Sequence, residues 1–296
     1  SYDQVKRYLT ALKKADPVAA HRGREGVLAL KARKVYVSRS TDHLLPTDVY
    51  TADGKTFDAF VAHPFSGLPF RPEITSILDV ATRRCTGFSI GLSEKAYDVA
   101  EAIRAAATHC GVSAIFYVDN GKGYKNLTLD DAATGMLARL GTHKEHSLPY
   151  NSQARGIIER FNGTCYTRLA KELPSYCGED LDREARLKLD RRLKADIKEF
   201  GGSALLPNWQ DFLSLFSAAL SDYNSRPHSS LPEIWDAVQK RRRPMSPDEY
   251  WAHHVENGFQ PILLTQAVSD DLARPAMRRR VARGVFDLSG LVPLAE

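Results

Sequence analysis

Residues 113–118, Ser-Ala-Ile-Phe-Tyr-Val, form a short and nearly all-apolar run. A strand of that kind buries both faces, so it belongs in the middle of a mixed sheet with cover on either side. Upstream, residues 48–62 (DVYTADGKTFDAFVA) read as a strand, a Gly-containing bend and another extended piece. Residues 73–81 and 84–91 are short, rich in β-branched or apolar residues, and separated at Thr82-Arg83. Residues 94–109 repeat Ala, Val and Ile at helical period behind Ser93, a candidate N-cap. After the apolar strand come a polar, Gly-rich loop, a weak helix end with a further strand around 137–143, and a long helix over 153–173 stopped by Pro174. Strands interleaved with helices in this order predict an α/β sheet flanked by helices.

The flanks differ from this centre. Residues 2–15 place Val5, Tyr8, Leu9 and Leu12 on one helical face, and Asp16-Pro17 ends that helix. The segment 1–47 carries ten Lys/Arg against four Asp/Glu and reads as a helical arm or linker continuing from an upstream DNA-binding region. Residues 178–223 are helical and highly charged, with a break at Gly201-Gly202. Residues 244–296 hold several prolines and end in the strand-like Val281–Leu294, so a small β-rich appendage is expected there, with the chain stopping inside or soon after it. The expected division is therefore 1–47, a core over 48–243, and 244–296.

Hydrophobic residues make up 43% of the 296, enough for a sizeable core. The net charge of +5 is too mild to establish a polyanionic partner by itself. Its clustering says more, because Lys240, Arg241, Arg242 and Arg243 form one compact run and Arg278, Arg279 and Arg280 another. Either run reads as a solvated face or as a phosphate contact. The four cysteines stand alone at 85, 110, 165 and 177, without zinc-ligand spacing, which fits a reducing compartment. No apolar run is long enough to span a bilayer.

Three acidic residues are candidates for chemistry. Asp53 lies on the first strand, Asp119 ends the apolar strand, and Glu159 sits inside the long helix. Carboxylates at strand ends need a salt bridge, backbone donors or a metal, because burying an unpaired charge is costly. Ligand sites in open α/β sheets gather beyond such ends. Taken singly, each residue has an ordinary reading: Asp53-Gly54 and Asp119-Asn120-Gly121 as turns, Glu159 as a solvated helical residue. Glu145 and Glu172 are weaker rivals to Glu159. Asp79 reads as structural or turn-forming; His63, His143 and His146 as solvated or hydrogen-bonded; Arg226 and His228 as anchors of a helix end.

The segment Asn151-Ser152-Gln153-Ala154-Arg155-Gly156-Ile157-Ile158-Glu159-Arg160-Phe161-Asn162 resembles the N-x-x-x-G-x-x-E-x-x-N helix of retroviral-type integrases and DDE transposases. Tyr223-Asn224-Ser225-Arg226-Pro227-His228 resembles the Y-N-x-R-P-H stretch that follows that core in bacterial transposases, and Ser246-Pro247-Asp248-Glu249 the S/T-P-x-E segment after it. Ala52-Asp53-Gly54, Arg71-Pro72, Asp79-Val80-Ala81-Thr82-Arg83-Arg84 and Asp119-Asn120-Gly121-Lys122-Gly123 are similar to the phage Mu branch. The likeness runs over about residues 45–252 in consistent order. Thirty-nine residues separate Asp119 from Glu159, more than in many relatives.

The resemblance implies an RNase H-like fold in which Asp53, Asp119 and Glu159 hold two Mg²⁺ or Mn²⁺ ions, with Asp53 shared between them. It implies DNA as partner, both transposon ends and target, with a homo-oligomer assembled on paired ends. It also implies a bacterial cytoplasmic setting. Lys122, Gln153, Arg155, Arg160 and Asn162 become candidate DNA contacts, as do the two basic runs. Arg155, Glu159 and Asn162 share roughly one helical face, and an internal Arg155–Glu159 ion pair is the alternative for Arg155. Two other functions fit the same fold: a nuclease that cuts without joining, and a catalytically silent DNA-binding regulator.

Overall fold

The computed structural model describes residues 1–16, 18, 21–24, 26, 30, 41–92, 96–118, 135–146 and 156–274. The chain divides into two compact units, Ser1–His43 and Leu44–Glu296. The first unit contains helix α1 (Tyr2–Ala15). The Ser1 amino group donates to Gln4 Oε1 at 2.9 Å, closing the first turn. Lys13 and Lys14 in the last turn complement the negative end of the helix dipole. Tyr2, Val5, Tyr8 and Leu9 are all exposed.

The second unit is built on strands β1 (Val49–Thr56), β2 (Val61–Ala62), β3 (Pro69–Phe70), β4 (Glu73–Asp79) and β5 (Cys85–Gly91). There follow α2 (Ala96–His109), β6 (Ile115–Val118), α3 (Met136–Leu140) and β7 (His143–His146). The main sheet has the order β5-β4-β1-β6-β7. β4 runs antiparallel to both β1 and β5, whereas β6 is parallel to β1 and β7 is parallel to β6. Three antiparallel strands extended by two parallel ones, with helices on both faces, make an RNase H-like α/β architecture. The apolar strand β6 does lie inside the sheet, and Phe116 and Val118 are buried.

A long helical stretch follows: α4 (Gly156–Asn162), a π-helical segment Gly163–Thr167, and α5 (Arg168–Glu172), ending before Pro174. Then come α6 (Arg183–Phe200), α7 (Trp209–Ser225), the hairpin β8 (Glu233–Asp236) and β9 (Arg241–Pro244), α8 (Pro247–Glu256) and α9 (Gln266–Ala273). One core joins Phe57, Ile74 and Leu78 of the sheet side to Ile158, Phe161, Tyr166, Phe212 and Phe216 of the helices. A second core on the other face joins Tyr50, Ile77, Phe116 and Val118 to Val99, Ile103, Met136 and Leu272. Ile74 and Leu78 thus serve one face and Ile77 the other, as the period of a strand requires.

One expectation changes, and two others reach beyond the described residues. Asp53-Gly54 is not a bend: both residues lie inside β1, which pairs continuously with β4 from Tyr50↔Asp79 to Thr56↔Glu73. Hydrogen-bonded pairing with β4 along the whole strand outweighs the local turn preference of Asp-Gly. Of the expected appendage over 244–296, only residues 244–274 are described, and α8 and α9 occupy most of them. Ser246 and Glu249 form a capping box with Pro247 at the first turn, so α8 has a strong helix start. Val281–Leu294 and Arg278–Arg280 lie outside the described residues. Finally, Ser93 also lies outside them, so α2 is described from Ala96 only.

Candidate functional site

Asp53 stands on β1 opposite Ser76 of β4 and is half-buried. Helix α4 packs on this strand because Ile158 and Phe161 are buried in the core beneath it. Those two anchors fix the rotation of α4 about its axis, which leaves Glu159 and Arg160 exposed. Three residues after Glu159, Asn162 is buried, and its Nδ2 donates to Asp53 Oδ2 at 2.8 Å. Residues three apart are neighbours on a helix surface, so Glu159 stands one turn along from the contact with Asp53. Asn162 is thus turned inward, and its amide is engaged by Asp53.

A second tether runs from the same strand to the π segment. Lys55 Nζ donates to Thr167 Oγ1 at 3.2 Å and pairs with Asp58 at 2.8 Å. The Ser76 hydroxyl meets the Tyr166 hydroxyl in the buried layer behind them. The π geometry, uncommon in proteins and frequent beside functional sites, thus begins right after Asn162.

The Oδ1 atom of Asn162 is buried and has no hydrogen-bond partner among the described residues. A buried acceptor in that state lacks a donor. A water carried by a hard cation at the neighbouring Asp53 is a donor of the right kind. The oxygen-only chemistry of Asp53 and Glu159 also suits Mg²⁺ or Mn²⁺. Among the described residues, no group of three or more His, Cys, Asp or Glu is placed to hold a metal. Asp119 lies outside the described residues, directly after Val118 in sequence. So do Lys122, Gln153 and Arg155. In the parallel pair that aligns Thr51 with Tyr117, Asp53 and Asp119 each follow by two positions in the sequence.

Other predicted positions have structural employment. Asp79 is fully buried, and its oxygens accept from the Thr47 and Thr82 amides and from Thr82 Oγ1 at 2.6–3.0 Å. Burial raises its carboxyl to about 6 despite those donors and Arg83. Arg83 takes a left-handed φ of 63° in the turn Asp79 closes. The Tyr-Asn pair of the Y-N-x-R-P-H stretch clamps this corner: Tyr223 donates to Arg83 O at 3.2 Å, while Asn224 accepts from Cys85 N and donates to Cys85 O. Arg226 pairs with Asp222 at the end of α7. His228 Nδ1 contacts Ser230, and burial, Arg83 and Arg160 lower its pKa. His63 Nδ1 accepts from local amides, and His143 pairs with Glu145 at 2.9 Å on an exposed strand. Glu172 is exposed and lies 3.7 Å from Arg168.

The run 240–243 is split by the structure. Arg243 faces inward, with Nε on Asp236 at 2.9 Å and its terminal nitrogens on both oxygens of Glu249 at 2.6–2.7 Å. That pairing holds Glu249 down at about 2. Lys240, Arg241 and Arg242 remain exposed. Trp235, exposed across the hairpin from Arg242, was missed by the sequence reading; its place within a strand beside a basic run was the available signal. The four cysteines are free and buried, and burial raises each thiol, which disfavours the thiolate. Among the described residues, no helix is long and apolar enough to cross a membrane.

No protein-family model and no curated protein sequence matches the chain. Among solved structures, it is similar to the catalytic core domain of BIV integrase, with 15% identity, a TM-score of 0.41, and coverage of 72% of this chain and 99% of that one. It is also similar to a chain of the simian T-cell lymphotropic virus intasome in complex with PP2A regulatory subunit B56 gamma, with 15% identity, a TM-score of 0.45, and coverage of 84% and 78%. A third likeness is to the HTLV-2 integrase catalytic core domain in complex with magnesium, with 12% identity, a TM-score of 0.37, and coverage of 63% and 93%. The overlaps are partial, and it is the order and direction of the strands that define the fold.

Proposed function

We propose that this chain is the catalytic core of a DNA transposase that frees 3′ ends and joins them to target DNA. The hydrogen bond from Asn162 to Asp53 carries the reading, because it couples the helix bearing Glu159 to the strand bearing Asp53. Asp53, Asp119 and Glu159 are the carboxylates that would hold two Mg²⁺ or Mn²⁺ ions. Such a pair activates the attacking oxygen and stabilises the leaving one in an in-line displacement at phosphorus. Asn162 fixes the orientation of the Asp53 carboxylate, and Ile158 and Phe161 fix the helix so that Glu159 faces outward. Arg160, exposed beside Glu159, is a candidate phosphate contact, as are Lys122, Gln153 and Arg155 from the motif and loop. Joining exchanges one phosphodiester for another, so it requires no nucleotide hydrolysis. Membership of the phage Mu branch rests on the sequence motifs. Assembly as a homo-oligomer on paired DNA ends in a bacterial cytoplasm belongs to the same proposal.

The test is Mg²⁺- or Mn²⁺-dependent joining of pre-cut ends to a target duplex. Asp53→Asn, Asp119→Asn and Glu159→Gln are each expected to abolish joining while folding and DNA affinity persist. Undiminished joining by any one of them removes that residue from the site. Cutting without joining by the unmodified chain would favour a nuclease of the same fold, and neither activity a DNA-binding regulator.

A further inference from the structure

The hairpin β8–β9 is tied down by side-chain bonds and displays one face to solvent. Asp236 organises it from within: Oδ1 accepts from the Val238 and Gln239 amides at 2.9 Å, closing the turn, and Oδ2 accepts from Arg243. Arg243 then fastens the ribbon to Glu249 at the start of α8. Paired residues share a face, and faces alternate along a strand. Ile234, Asp236 and Arg243 therefore point to the protein, whereas Trp235 and its partner Arg242 point away.

Trp235 is 63% exposed, an unusual state for the side chain with the largest apolar surface. Arg242 and Lys240 have no ion-pair partner among the described residues, and Lys240 sits at the turn with a φ of 50°. Among the described residues, the side chain of Arg241 has the neutral Gln239 as its hydrogen-bond partner. Glu233 is the sole acid on the outer face, two residues from Trp235. An exposed indole bordered by unneutralised cations suits a ligand that offers both a flat ring and negative charge. Nucleotides combine the two, and a base presents its ring face only where it is unstacked.

We infer that this hairpin is a platform for an unpaired nucleotide at a DNA strand end, with Trp235 stacking on the base and Arg242 and Lys240 meeting the flanking phosphates. The inference rests on the DNA substrate proposed above and adds a second contact surface to it. Inside a duplex the ring faces are hidden and a blunt end offers only the outer face of its last pair, whereas a tail offers freely turning bases, so the indole should favour tailed over blunt ends.

The test is fluorescence anisotropy with the full 296-residue chain, using a labelled duplex with a short single-stranded tail and the matched blunt duplex. Trp235→Ala is expected to lose about tenfold in affinity for the tailed duplex and little for the blunt one. Trp235→Phe should retain most of the preference. Arg242→Ala should weaken both and reduce the salt dependence of binding. Phe65→Ala, at another exposed aromatic, should change neither. Equal affinities of wild type and Trp235→Ala for tailed DNA would overturn the inference while leaving the proposed function intact. Failure of the wild type to bind either DNA would overturn both. A change of oligomeric state in Trp235→Ala without a change in DNA affinity would assign the platform to a second copy of the chain and overturn the inference.

Discussion

At Asp79, burial opposes the charged form, and three donated hydrogen bonds do not fully offset it. Its folded value of about 6 lies above the ordinary 3.8, so the native state holds the proton more tightly. The stabilisation from that proton is complete below about pH 3.8 and is lost as pH rises to about 6, amounting to about 3 kcal/mol. In urea unfolding across this window, Asp79→Asn should remove that slope; an unchanged slope would contradict the account. Asn162 poses the complementary case, a buried amide holding a carboxylate. Asn162→Ala should retain the fold yet reduce strand joining by about a hundredfold, since small misplacements of reacting groups cost that much. The structural role of Asp79 was legible, because an acid before Thr82-Arg83 suits a turn. The inward role of Asn162 was not, because an Asn on a motif helix reads equally as an outward contact until the buried face of the helix is known.

Elements were legible wherever apolar periodicity ran unbroken. Helices over 2–15 and 96–109 and strands over 85–91 and 115–118 match their sequence patterns closely. The pattern misled where local turn chemistry competed with pairing, as at Asp53-Gly54. After residue 244, the helix start at Ser246-Pro247 was not picked out from the prolines around it. Gly87 shows what the period alone does not disclose: a Cβ there would lie 2.6 Å from Ala102 O and Ala106 N, so β5 and α2 meet backbone to backbone. Gly87→Ala should destabilise the fold by about 2–3 kcal/mol, read as a lowered urea midpoint. The β8–β9 hairpin depends on Arg243 in a similar way. Arg243→Ala should speed amide exchange in Glu233–Pro244 while the central sheet stays protected. The same loosening should appear in the intact protein as pH falls from the usual carboxylate range through about 2, where Glu249 takes up its proton.

For the molecule as a whole, the sequence order of strands and helices indicated an α/β sheet, and the motifs indicated its RNase H-like form. The strand directions, and the assignment of each apolar residue to one of two cores, needed the three-dimensional pairing. Two of the three proposed carboxylates can be placed; Asp119 follows the last described residue of β6. If catalysis proceeds in an assembly on paired ends, joining at limiting protein should rise more steeply than in proportion to concentration, whereas binding to a single end should not. A proportional rise would argue for a self-sufficient monomer.

The π segment at Gly163–Thr167 adds a phase shift to the long helix. Upstream of it, Ile158 and Phe161 set the angle at which Glu159 leaves the surface; downstream, Leu169 and Ala170 must also reach the core. The wider turn absorbs the mismatch between these two demands. Excising one residue from 163–167 would give a more regular cylinder, yet it would swing either the acidic side chain or the Leu169 anchor around the axis. A helix with better internal bonding would then be a poorer part of this protein.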